Sequence, residues 1–105
     1  MRSPTQRSLK HLRSLGFAAG VVERWIPRAN VRKDLFDVVD IVAIDERGRV
    51  AWVQTTSYSN MAARRKKLRA ADIFPFLCMN GNHVLLHGWQ KKNGRWTVKE
   101  EVITG

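Results

Sequence analysis

Residues 37 to 57 read DVVDIVAIDERGRVAWVQTTS, and no other stretch constrains the fold as much. Two β-rich runs flank ERGR, where Gly48 can take the positive φ that a tight reversal needs. The first run is almost entirely apolar apart from Asp37, Asp40 and Asp45, which predicts a strand buried on both faces. The second, Val50 to Ser57, pairs back on it as the next strand.

Other elements follow from periodicity. After Pro4, Leu9, Leu12 and Leu15 recur at helical spacing with polar and basic residues between them, and Gly16 supplies the stop. Val21 to Ile26 reads as a strand ended by Pro27, and RANVRKD as a basic loop. A second helix runs from about Met61 to Ala71, capped by Ser59 or Asn60. DIFPFLCMN, interrupted by Pro75, reads as a short broken helix. HVLLHGWQKK and RWTVKEEVI, joined at Asn93-Gly94, form a hairpin. The order is helix, three strands, helix, two strands: an α/β (α+β) arrangement in one domain spanning residues 1-105.

The chain carries 19 Lys and Arg against 9 Asp and Glu, a formal charge of +10, and is 44% hydrophobic. Enough apolar material is present to fold, so the charge decorates a shaped surface and points to a polyanion, nucleic acid first. Cys78 is the only cysteine, which excludes a disulfide framework and a cysteine zinc site and suggests an intracellular, cytoplasmic setting. No run is apolar enough for a signal peptide or a membrane span, so no membrane partner is expected.

Asp40 lies inside an apolar strand, where an ionised carboxylate is costly unless it is paired or binds a cation. Counted from Gly48, Asp40 and Gln54 fall at comparable distances along the hairpin, which makes them neighbours. The Asp40 carboxylate, the Gln54 side-chain carbonyl, the Thr55 backbone carbonyl and waters would offer the hard oxygen ligands that Mg²⁺ prefers. The alternative is that Asp40 is a paired or capped core residue and QTT a β-favouring strand end. Asp34, Asp37 and Asp40 do not form one cluster, because strand alternation puts Asp37 on the opposite face. His11, His83 and His87 have no metal-ligand spacing and no shared role is expected of them. The four tryptophans fall in predicted strands and read as core or half-buried.

LGFAAGVVERW, VVDIVAI and VAWVQTT, in this order and followed by a basic helix, resemble the PD-(D/E)xK nuclease superfamily, in particular small Holliday-junction-resolvase-like proteins and their phage relatives. The resemblance covers most of residues 5 to 91. It implies a restriction-endonuclease-like core of helix, three strands, helix and strand, with the last hairpin strand added. It also implies Mg²⁺ or Mn²⁺ as cofactor, DNA (duplex or branched) as substrate and a homodimer. The family's aspartate matches Asp40 and its Glu or Gln matches Gln54, while its lysine falls on Thr56. Its helix acid falls near Thr5 or Gln6. Asp40 would anchor the metal and Gln54 complete its shell; Lys66 or Lys67 would replace the missing lysine, and Glu23 or Asp37 would add a carboxylate.

RRKKLR supplies Arg64, Arg65, Lys66, Lys67 and Arg69, and Arg24, Arg28, Arg32 and Lys33 precede Asp40. Together they are the expected phosphate track, which positions a backbone without reading bases. Two functions follow, a metal-dependent structure-selective endodeoxyribonuclease or a catalytically inactive DNA-binding module of the same fold; charge alone leaves RNA open.

Overall fold

In the computed structural model the described residues are 3–22, 24–26, 31–33 and 38–104, with the backbone alone described for 24–26, 31–33 and 80. The fold is α+β. Helix α1 spans Pro4–Ser14, and strands β1 to β5 span Ala18–Val21, Arg24–Ile26, Val31–Lys33, Ile41–Ile44 and Val50–Ser57. Helices α2 (Met61–Ala70) and α3 (Phe74–Leu77) follow, then β6 (His83–Lys92) and β7 (Arg95–Ile103). A mixed five-stranded sheet has the order β1-β4-β5-β6-β7, and β2 and β3 form a separate two-stranded sheet.

The expected hairpin is present. Ile41 pairs with Val53 and Ile44 with Val50. Its turn is closed by Asp45, whose Oδ1 accepts from the backbone N–H groups of Arg47 at 2.8 Å and Arg49 at 2.9 Å. Those bonds hold its carboxyl below the ordinary carboxylate value. Gly48 takes φ +80° in this turn. The expected strand from Val21 to Ile26 is instead divided. Val21 ends β1 in the large sheet, whereas Arg24 to Ile26 pair with Val31 to Lys33, within the segment expected to be a loop.

Helix α1 starts at Ser3, whose Oγ accepts from Gln6 N–H at 3.3 Å, with Pro4 in the first turn, where its missing donor costs nothing. It packs Leu9 and Leu12 on Ile41, Ala43, Val53 and Leu85. Leu15 is exposed at the C-cap, so the buried stripe is completed not by it but by Thr5 and Ser8, at the same helical spacing. The opposite face of the sheet is covered by Met61 and Leu68 of α2 and Phe74 and Leu77 of α3, packed on Val84, Leu86 and Ile103. Asn60 occupies the α2 cap position without a side-chain cap bond, and Ser59 Oγ pairs with Ser57 Oγ at 3.2 Å.

Strand β5 runs antiparallel to β4 and parallel to β6, with α2 and α3 in the crossover. The close approach of β6 to α2 depends on Gly88, where a Cβ would overlap the Sδ and Cγ of Met61. No helix among the described residues is long and apolar enough to cross a membrane.

Candidate functional site

The C-terminal end of β5 meets the start of α1 and one side of α2. A cavity of about 390 Å³ opens there, lined by Pro4, Thr5, Asp40, Thr55, Thr56, Ser57 and Arg64. The sheet therefore brings Asp40 to the strand end that the sequence singled out, together with Thr55 and Thr56.

How Asp40 arrives differs from a regular hairpin. Ile41 pairs with Val53, so a regular strand would set Asp40 opposite Gln54. Instead Asp40 N–H donates to the carbonyl of Val53 at 2.9 Å, so that Asp40 and Ile41 both oppose one residue. This is a β-bulge, and a bulge re-aims a side chain. The carboxylate turns to Thr55: Oδ2 accepts from Thr55 N–H at 2.8 Å and from Thr55 Oγ1 at 3.3 Å. Thr55 Oγ1 lies 2.9 Å from Thr5 Oγ1. Because the Thr55 hydroxyl donates to the carboxylate, Thr5 donates to Thr55, and the relay runs from α1 across β5 to the bulge. Asp40 is 4% exposed, and its carboxylate ties these three elements together.

Gln54 does not join this group. Alternation along β5 puts Gln54 on the α2 face, away from Thr55, and it is not among the cavity's lining residues. It is 1% exposed, and neither Nε2 nor Oε1 has a hydrogen-bond partner among the described residues. The indole N–H of Trp52, on the same face, is also unpartnered.

Thr56, where the resemblance would place a lysine, is 6% exposed and borders the cavity, with no hydrogen bond to its hydroxyl among the described residues. The cation at the cavity is Arg64, which has no ion-pair partner among them. Lys66 and Lys67, the expected replacements for the lysine, are exposed on the solvent side of α2, opposite Met61 and Leu68. Arg65 binds Glu101 of β7 through Nε at 2.8 Å and Nη2 at 2.6 Å, which lowers the Glu101 carboxyl and raises the guanidinium. Arg69 Nε donates to the Thr104 carbonyl at 3.3 Å. The basic run is thus divided between a cavity cation, a tie to β7, a bond to the Thr104 carbonyl, and two solvated lysines. Glu23, Arg28, Asp34 and Asp37 lie outside the described residues, as do the side chains of Arg24, Arg32 and Lys33.

Among the described residues the donor set does not fit a resident Mg²⁺: one carboxylate faces the cavity, its Oδ2 accepts two bonds from Thr55, and the other oxygen donors of the lining side chains are neutral hydroxyls. No group of three or more His, Cys, Asp or Glu suited to a metal exists among the described residues.

A second polar cluster was not anticipated from sequence. Trp89 Nε1 donates to Ser8 Oγ at 2.8 Å, Ser8 Oγ lies 2.8 Å from His87 Nδ1, and His87 Nε2 lies 2.8 Å from Glu100 Oε2. Indole only donates and a carboxylate only accepts, so with a neutral ring the proton sits on Nε2 and Ser8 donates to Nδ1. His11 packs edge-on to His87 at 5.9 Å and to Trp89 at 6.2 Å between ring centroids, so two of the three histidines meet. The order serine, histidine, carboxylate resembles a hydrolase relay, but Ser8 is completely buried and its hydroxyl can reach no substrate. The cluster joins α1 to β6 and β7. The signal available in sequence was His87 inside the apolar run HVLLHGW, the same kind of signal that marked Asp40.

Comparison of the chain with protein-family models, with curated proteins and with solved structures finds no match.

Proposed function

We propose that this domain binds the phosphodiester backbone of DNA at the C-terminal end of β5 and does not hydrolyse it. The observation that carries the reading is the cavity itself: among the described residues Arg64 borders it without an acidic partner and Thr56 offers an unpartnered hydroxyl where a nuclease would place lysine, while Asp40 is engaged by Thr55. A guanidinium and hydroxyls donate to phosphate oxygens, and such contacts position a backbone. The net charge of +10 supplies attraction, and the solvated Lys66 and Lys67 extend it. The element order and the parallel pairing of β5 with β6 accord with a restriction-endonuclease-like core of the PD-(D/E)xK type.

The test is a panel of labelled duplex, single strand and four-way junction, incubated with Mg²⁺ or Mn²⁺ and, separately, with EDTA. Binding in EDTA, no cleavage on any substrate, and at least tenfold weaker binding by Arg64→Glu are expected. A metal-dependent, homodimeric junction-resolving nuclease is the second reading, favoured by the position of Asp40 at the cavity. Cleavage that Asp40→Asn abolishes would establish it and overturn the first.

A further inference from the structure

The two strands after the cavity outrun the sheet. Strand β6 pairs with β5 only as far as Trp89 opposite Ser57, while β7 stays paired with β6 as far as Arg95 opposite Lys92. Among the described residues, Gln90 to Lys92 and Arg95 to Thr97 therefore form a two-stranded ribbon paired only with itself. Asn93 (φ 50°) and Gly94 (φ 78°) turn it in the left-handed conformation that matches strand twist. Every residue from Lys91 to Thr97 is exposed.

Charge is distributed over both faces of this ribbon. Lys91 lies opposite Trp96 on the α1 face, where Trp89 and Glu100 also point, and Lys92 lies opposite Arg95 on the α2 face. Lys99 follows on the α2 face with its Nζ 5.8 Å from the Tyr58 ring centroid. Between Gln90 and Lys99 there is no acidic residue. Trp96, 46% exposed, is held flat by Arg7 of α1, whose guanidinium carbon stacks 3.7 Å from the ring centroid. The ribbon springs from the same end of the sheet as the cavity, because Thr56 pairs with Gly88 and Ser57 with Trp89.

We propose that this ribbon enters the major groove of B-form duplex DNA, an inference that rests on the DNA-binding reading but assigns it a second contact surface. A groove presents two walls of phosphate, and cations on both faces of a thin blade complement two walls at once. A membrane or an acidic peptide presents one. Strands spaced about 4.8 Å apart, with side chains, fit a groove about 12 Å wide, which admits a two-stranded β-ribbon. The deep, narrow major groove of A-form RNA does not. The ribbon reaches roughly 10 Å beyond Trp89, at about 3.4 Å per residue, so a duplex seated on it lays a phosphate strand near Arg64. Lys99 on the outer edge of β7 opposes strand addition by a second copy.

The experiment measures duplex DNA binding by the full chain and by Lys91→Gln/Lys92→Gln/Arg95→Gln, whose changes are all at exposed residues beyond the pairing of β6 with β5, with equal melting temperatures required first. Losing three phosphate contacts lowers the slope of log affinity against log salt by about 2.7, roughly 40-fold in affinity over a fourfold change in salt. Cytosines bearing bulky 5-substituents, which fill the major groove, are expected to weaken wild-type binding at least tenfold, whereas the minor-groove ligand netropsin leaves it unchanged. Wild-type binding with an unchanged slope in the variant, or equal affinity for duplex RNA, overturns the ribbon proposal and leaves the domain a DNA binder. Absence of wild-type binding to any DNA overturns both.

Discussion

Gln54→Met tests the α2 face of the sheet. Gln54 is 1% exposed, and neither its amide nitrogen nor its oxygen has a hydrogen-bond partner among the described residues. A buried unsatisfied polar group costs about 1–3 kcal/mol. Methionine has nearly the same length and no group that requires a hydrogen bond. Taking the low end for each amide atom, the variant should gain about 2 kcal/mol. Unfolding entropy near 2.1 cal/mol/K per residue over this length gives about 0.22 kcal/mol/K, so the melting temperature should rise by roughly 9 °C. Thermal unfolding followed by circular dichroism, together with a urea midpoint at unchanged m-value, reads this directly. DNA affinity should stay the same. A lower melting temperature would refute the premise that the amide is unsatisfied, and loss of DNA binding with the fold intact would place Gln54 in the binding site.

Gly88→Ala places a Cβ on Met61, and overpacking of this kind costs about 1–3 kcal/mol; Met61→Ala in the same chain should recover part of it in a double-mutant melt. Ser8→Ala strands the Trp89 indole N–H and His87 Nδ1 in the interior, so a loss of about 2–4 kcal/mol in urea unfolding is expected, and a loss below 0.5 kcal/mol would count against the relay. The hydrogen bond from His87 holds the Glu100 carboxyl below its ordinary 4.5. Its contribution is therefore complete above that pH and disappears as the pH falls through the lowered value. Glu100→Gln should flatten the stability profile on the acid side of pH 4.5, measured as melting temperature against pH.

Local signals carried much of this fold. Val50 to Ser57 is a strand over its whole expected length, Gly48 adopts the positive φ that the turn required, and the Asn93-Gly94 hairpin closes as its residues dictate. What escaped was decided by partners distant in sequence. Val21 and Arg24 belong to different sheets although both fall in one β-rich run, because pairing rather than propensity sorted them. The expected apolar stripe of α1 did not include Thr5 and Ser8, and they are buried because Thr55 and His87 supply their hydrogen bonds across the sheet. Trp96 read as half-buried or core by its strand position, yet it lies beyond the sheet's edge and is exposed. At the cavity, the residue choice Asp40, Thr55 and Thr56 was legible, but the exclusion of Gln54 was not, since counting residues from a turn assumes a ladder without bulges.

That irregularity has a consequence for how such a site changes over generations. With the pairing restored to one against one, Asp40 would face Gln54 directly, since opposed residues of antiparallel strands share a side. A single-residue shift between Val39 and Ile41 would thus exchange an acid that braces the scaffold for one presented beside an amide oxygen, without altering a side chain at the cavity. Strand spacing, and not residue identity alone, therefore decides whether this acid braces the scaffold or lies beside an amide, a difference that comparison of residue identities would overlook.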